Sequence, residues 1–206
     1  MIRNTFSVKV CGMRDADNIQ AVEQLGIDWM GMIFWPKSSR FVTDVPSYLP
    51  KQVRRVGVFV DASLEDIRQH VSDYQLDLIQ LHGKETPAFA EALKPLSVIK
   101  AFNIADAEDL KQTKAYEGIV DYFLFDTKGK VVGGNGEKFD WSVLSSYHGE
   151  TPFLLSGGIG PDDVEAIKSF RHPKCIGIDL NSRFEQAPAL KDISKLRNFI
   201  KQLYHE

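Results

Sequence analysis

The sequence predicts an α/β chain forming a single (β/α)8 TIM barrel domain with parallel strands over residues 1–206, and three observations carry that expectation. Eight short β-rich runs alternate with amphipathic segments from end to end. The runs recur every 20 to 30 residues or so, about the length of one βα unit. Most are apolar along nearly their whole length, as strands covered on both faces are.

In chain order the strand runs are SVKVCG, WMGMIF, RRVGVFV, DLIQLH, LSVIKAF, YFLFDT, PFLLSGG and CIGIDL. Their ends fall near Gly12, Phe34, Val60, His82, Phe102, Asp126, Ser156 and Leu180. Between them, Leu64, Ile67, Val71 and Tyr74, and later Ile193, Leu196, Ile200 and Leu203, repeat at the three- and four-residue steps of one buried helix face. Asp15, Ser63 with Asp66, Asp162 and Asp192 stand where helices would begin, and Gly26 stands where the first would stop. Each strand is therefore expected to lead into a helix. A doubly wound open sheet is the competing arrangement. Against it, no G-x-G-x-x-G follows the first strand, and GGNGEKF lacks the third glycine in place.

Composition narrows the function. With 25 basic and 28 acidic residues, a net charge of -3 and no basic block of five, nucleic acid and anionic membranes are poor partners. A small soluble ligand fits better. No apolar stretch reaches the roughly 18 residues of a membrane helix, and the N-terminal segment lacks signal-peptide order, so a cytoplasmic protein is expected. The two cysteines, Cys11 and Cys175, are too few for a disulfide framework and read as reduced thiols. His70, His82, His148, His172 and His205 are scattered without metal-ligand spacing, so no metal is expected.

In a barrel of this kind the chemistry lies at the carboxyl ends of the strands. Cys11 ends the first strand, at the chemistry face, whereas Cys175 begins the eighth, at the stability face. Asp126 ends the sixth strand, and the next helix starts only near Asp140 and Trp141, so helix capping explains Asp126 poorly. The glycine-rich stretch 127–138 is open to two readings, a lid or a flexible connection. Gly157 and Gly158 in LLSGGIGPDD, with Asn181 and Ser182 in GIDLNSRFE, supply small residues where barrels commonly hold a phosphate; a tight turn needing positive φ is the plainer alternative. Arg40 in FWPKSSRFV is either a carboxylate clamp or a solvated loop charge. Gln80 and His82 point to one side of the fourth strand, with His82 either a mouth contact or a core histidine.

Taken together and in order, VKVCG, KSSRFV, VGVFV, IQLHG, FDT with GGNGEKFDW, LLSGGI and GIDLNSRFE resemble the phosphoribosylanthranilate isomerase family over nearly the whole chain. The resemblance implies an Amadori rearrangement of N-(5-phosphoribosyl)anthranilate in tryptophan biosynthesis, without cofactor or metal, by a monomer or homodimer. By matching motif, Cys11 resembles the general base and Asp126 the general acid. Arg40 resembles the residue holding the anthranilate carboxylate, and the two late loops the phosphate site. The substrate-binding set implied is Lys9, Arg40, Gln80, His82, Gly157, Gly158, Asp179, Asn181 and Ser182. These roles suit the chemistry, which needs a proton given to the ring oxygen and one taken from sugar carbon 2. Asp126 should be raised by desolvation, and Lys9 or the first helix's N-terminus should favour a Cys11 thiolate. Departures from the family pattern are Asn181 and Arg183 in place of small residues, and Ala189 where glycine is common. An indole-glycerol-phosphate synthase would need a lysine and glutamate pair at strand ends. A non-catalytic phosphate-binding barrel would not need both Cys11 and Asp126.

Overall fold

The computed structural model describes residues 6–127 and 140–204. Eight strands pair in chain order: β1 (Ser7–Val10), β2 (Trp29–Ile33), β3 (Arg54–Phe59), β4 (Leu78–Leu81), β5 (Ser97–Ile104), β6 (Tyr122–Thr127), β7 (Phe153–Leu155) and β8 (Cys175–Leu180). All neighbours are parallel, and β8 pairs with β1 to close the barrel. This is the expected topology, and the strands end within two residues of the positions expected from sequence.

Alternation divides the apolar side chains between two cores. Val8, Val10, Met30, Met32, Phe59, Phe123 and Phe125 face outward beneath the helices, while Trp29, Val56, Leu78, Ile99, Leu124 and Leu154 fill the barrel. Both faces are dry, so the strands show no polar alternation until their carboxyl ends. There the inward positions become Lys9, Gln80, Asp126, Ser156 and Asp179, all buried.

The helices are α1 (Ala16–Glu23), α2 (Leu64–Tyr74), α3 (Pro87–Glu91), α4 (Val164–Ser169) and α5 (Ile193–Tyr204). Asp15 accepts from the Asn18 N–H at 2.9 Å, Ser63 from Asp66 at 3.1 Å and Asp192 from Lys195 at 3.0 Å, each satisfying an orphan donor of the first turn. Gly26 follows α1 at φ +77°, as its stop position requires. The N-cap position of α4 is Asp163, not Asp162, and its carboxylate makes no capping bond to that helix. A 3-10 turn at Pro161–Asp163 shifts the register, and Asp163 accepts from the Gly160 N–H at 2.7 Å.

Among the described residues, three units show no α-helix. Between β2 and β3 there is none, because Pro36, Pro46 and Pro50 interrupt the segment. After β5 a 3-10 helix (Asp109–Tyr116) buries only Leu110 and Thr113, too little apolar face to hold an α-helix. After β6 a 3-10 helix (Trp141–Ser146) begins at the expected place, capped by Asp140. The glycine-rich stretch 127–138 lies, beyond Thr127, outside the described residues. A feature the sequence reading missed follows β8: a 3-10 turn (Ser182–Phe184), then an antiparallel pair, β9 (Glu185–Ala187) and β10 (Leu190–Lys191).

Candidate active site

Cys11 extends β1 by one residue, its N–H donating to Leu180 O at 2.9 Å, and its side chain is buried in the barrel mouth. Two glycines make that position possible. A Cβ on Gly31 of β2 would lie 2.7 Å from Cys11 Sγ, so only glycine leaves room for the thiol. Gly12 has φ +77°, and a Cβ there would meet Arg40 Cδ at 2.7 Å and Asn181 Oδ1 at 2.8 Å.

Beneath the thiol lies a buried ion pair. Lys9 and Asp179 are register partners on β1 and β8, and Lys9 Nζ donates to Asp179 Oδ1 at 2.7 Å. Ser156 Oγ donates to the other carboxylate oxygen at 3.3 Å. Burial alone would push the Lys9 ammonium down, but Asp179 and the hydrogen-bonded Cys11 outweigh it and hold Lys9 charged. For Cys11, burial pushes the thiol up, Asp179 adds to that, and Lys9 and Lys191 pull it back without cancelling the rise. The expected direction of the Lys9 effect holds. The expected net depression does not, because desolvation is larger.

Asp126 ends β6, three strands round the barrel from Cys11 by way of β7 and β8. Its Oδ2 lies 3.5 Å from His82 Nε2. Gln80 Nε2 is 2.9 Å from His82 Nδ1, and an amide nitrogen can only donate. With Gln80 donating, Nδ1 is the acceptor and Nε2 is the ring nitrogen that faces Asp126. The expectation that Gln80 and His82 share a side is met. His82 lies at the mouth, while Gln80 and Lys9 lie one layer below, nearly or wholly inaccessible, supporting the residues above them.

Arg40 returns to the mouth because Phe41 bridges back to Ile33, and the Val42 N–H donates to Ile33 O at 3.0 Å. It is no solvated loop charge. Nε donates to Glu185 Oε1 at 2.8 Å and Nη2 to Oε2 at 2.6 Å. Lys191, buried below, donates to Glu185 Oε1 at 2.6 Å and to Asn181 Oδ1 at 2.8 Å. Although burial opposes it, Arg40 and Lys191 hold the Glu185 carboxyl below its ordinary range. Burial draws Lys191 down against the pull of Glu185.

Gly157 and Gly158 follow β7 at φ +88° and +69°, so the tight turn is real. Across from it, Gly160 lies against Arg183, 3.6 Å from its Cβ to the place a Cβ on Gly160 would take. The two late loops thus meet, with Ser182 opening a 3-10 turn beside them. The Asn181 side-chain oxygen accepts from Lys191, and among the described residues its amide nitrogen donates to nothing.

Glu185, Lys191 and Gly31 escape a reading by strand ends. The first two lie on the hairpin beyond β8. Gly31 had a signal, a glycine inside a strand, which often marks close approach. A lysine and glutamate pair does exist, Lys100 with Glu85 at 2.9 Å, but Lys100 alternates with the inward Ile99 and Ala101. It faces outward against Phe102 and Tyr116 and does not serve the mouth. Among the described residues no cluster of histidine, cysteine and carboxylates could hold a metal, and no helix is long and apolar enough to cross a membrane.

The sequence profile of N-(5'phosphoribosyl)anthranilate (PRA) isomerase matches residues 8–202. The N-(5'-phosphoribosyl)anthranilate isomerase of Parabacteroides distasonis is 53% identical over 209 aligned positions, covering 96% of this chain and 93% of its own. Among solved structures, phosphoribosyl anthranilate isomerase from Thermus thermophilus superposes with a TM-score of 0.83 at 28% identity, covering 96% of this chain and 98% of its own. A phosphoribosyl anthranilate isomerase in complex with reduced 1-(o-carboxyphenylamino)-1-deoxyribulose 5-phosphate gives 0.79 at 29% identity, with the same coverages.

Proposed function

The chain belongs to the N-(5'-phosphoribosyl)anthranilate isomerase family and isomerises that compound in tryptophan biosynthesis, and from this premise we propose that Cys11 is its general base and Asp126 its general acid. Asp126 gives a proton to the furanose ring oxygen as the bond from that oxygen to carbon 1 breaks and the anthranilate nitrogen lone pair forms an iminium. The resulting carboxylate faces the His82 Nε2 proton, which stabilises it. Cys11, acting as the thiolate after giving its own proton to solvent, then removes the proton on carbon 2 and the electrons neutralise the iminium. The enol relaxes to the ketone as carbon 1 gains a proton and the carbon 2 hydroxyl gives one up, which restores Cys11 and Asp126. The positive iminium, added to Lys9 and Lys191, opposes the burial that pushes the Cys11 thiol up.

The observation that carries this reading is the pair itself, a buried thiol and a buried carboxylate at strand carboxyl ends, three strands apart around one barrel mouth. The Gly157–Gly158 loop after β7 and the Asn181–Ser182 loop after β8 take the phosphate through backbone N–H groups. Arg40 takes the anthranilate carboxylate with its unused guanidinium edge. The relative solved with a reduced carboxyphenylamino-deoxyribulose phosphate supports an occupant of that shape. A cytoplasmic location agrees with this pathway chemistry. In a fluorescence assay with freshly made phosphoribosylanthranilate, Arg40→Ala should raise KM by about tenfold or more, the worth of a charge-assisted hydrogen bond. An unchanged KM would remove Arg40 from that role.

A further inference from the structure

The guanidinium of Arg40 has two edges. Glu185 occupies the side edge, Nε and Nη2, and among the described residues Nη1 donates to nothing. The end edge, Nη1 with the second Nη2 proton, is the one that can grip a further carboxylate with two parallel bonds. Glu185 is itself fixed by more than Arg40. Oε1 also accepts from Lys191 Nζ at 2.6 Å and from the Ala189 N–H at 3.2 Å, while Lys191, with a wholly inaccessible side chain, spans to Asn181 on the end of β8. Two cations share one carboxylate, so the cluster keeps one net positive charge. It sits directly over Gly12, beside Cys11, where a side chain on residue 12 would displace it.

We propose that Glu185, held by Lys191, is a positioning residue that fixes the Arg40 guanidinium so that its end edge receives the carboxylate of the substrate. The proposal rests on Arg40 as the carboxylate partner. It makes the β9–β10 hairpin part of substrate recognition, because Glu185 and Lys191 stand at its two ends. The opposing possibility is that Glu185 competes with the substrate carboxylate for Arg40. Simple charge counting favours competition, since removing the Glu185 charge leaves two cations facing an anionic ligand. Positioning requires the reverse, weaker binding despite the added positive charge.

The test compares two probes, reduced 1-(2-carboxyphenylamino)-1-deoxyribulose 5-phosphate and the same molecule without the ring carboxyl. Their affinities are measured for the unaltered enzyme, Arg40→Ala and Glu185→Gln. The unaltered enzyme should prefer the carboxylated probe by about tenfold or more. Both variants should lose most of that preference, with affinity for the carboxyl-free probe unchanged, which also shows that they fold. Glu185→Gln should raise KM for phosphoribosylanthranilate by a similar factor with kcat little altered. If Arg40→Ala loses the preference but Glu185→Gln keeps it, or binds the carboxylated probe more tightly, the positioning role is wrong and the Arg40 assignment stands. If Arg40→Ala keeps the preference, the Arg40 assignment fails and the positioning role with it.

Discussion

Gly31 sets how far the Cys11 side chain can lean into the barrel. In Gly31→Ala the new methyl would stand 2.7 Å from Sγ, with the Cys11 Cα and Cβ at 3.2 and 3.3 Å, so the thiol must move. Overpacking of this kind costs about 1–3 kcal/mol, and a reacting group displaced by about 1 Å loses rate steeply. We expect Gly31→Ala to lower kcat by about tenfold or more. Gly57→Ala, whose methyl would strike Leu76 and Phe59 on the outer face, should lower the melting temperature without that loss. Equal kcat losses would show that the effect is general. The proposed catalytic pair is legible in the sequence because Cys11 and Asp126 stand at strand ends, and the strand count says which end does chemistry. The electrostatics around Cys11 are less legible. Lys9 is near in sequence, but Lys191 is 180 positions away, and the desolvation that outweighs both appears only once the barrel closes.

At the scale of elements, the hairpin after β8 carries a local conflict. Residues 188 and 189 connect β9 to β10, and Ala189 adopts φ +66°, a conformation suited to glycine. Its buried side chain makes no hydrogen bond that glycine would lose, and the backbone N–H to Glu185 remains. Ala189→Gly should therefore stabilise the protein by about 1 kcal/mol through relief of left-handed strain, partly offset by glycine's greater unfolded-state entropy. That corresponds to a melting-temperature rise of about 2–4 °C for a chain of this size. A fall would mean that the turn needs its Cβ. Helix starts are readable from side chains that cap them, and Asp15, Ser63 and Asp192 all do so. The shift from Asp162 to Asp163 comes from a 3-10 turn that capping rules do not anticipate. The absent helix between β2 and β3 was announced by three prolines, a signal that the expectation of a repeating unit obscures. The hairpin is too short to show alternation.

For the molecule as a whole, barrel closure is what converts a linear order of apolar runs into a site. Closure brings β8 against β1, so Asp179 meets Lys9 across 170 positions, and the late loops reach the side of the mouth where Cys11 lies. It also brings β6, with Asp126, to the far side. Runs that are apolar on both faces announce such a sheet. They do not announce which polar residues will be trapped in the upper layers or how those residues pair. The proposed chemistry therefore depends on two groups, far apart in sequence, acting on one substrate. The direct measurement is the turnover of freshly made phosphoribosylanthranilate, followed by its fluorescence, for Cys11→Ser and Asp126→Asn beside the unaltered enzyme, with affinity for the reduced product analogue measured in parallel. General acid or base catalysis contributes about 10²–10⁴ in rate, so each variant should lose at least about a hundredfold in kcat while analogue affinity stays within severalfold. A near-normal kcat in either variant would contradict the assignment of that residue.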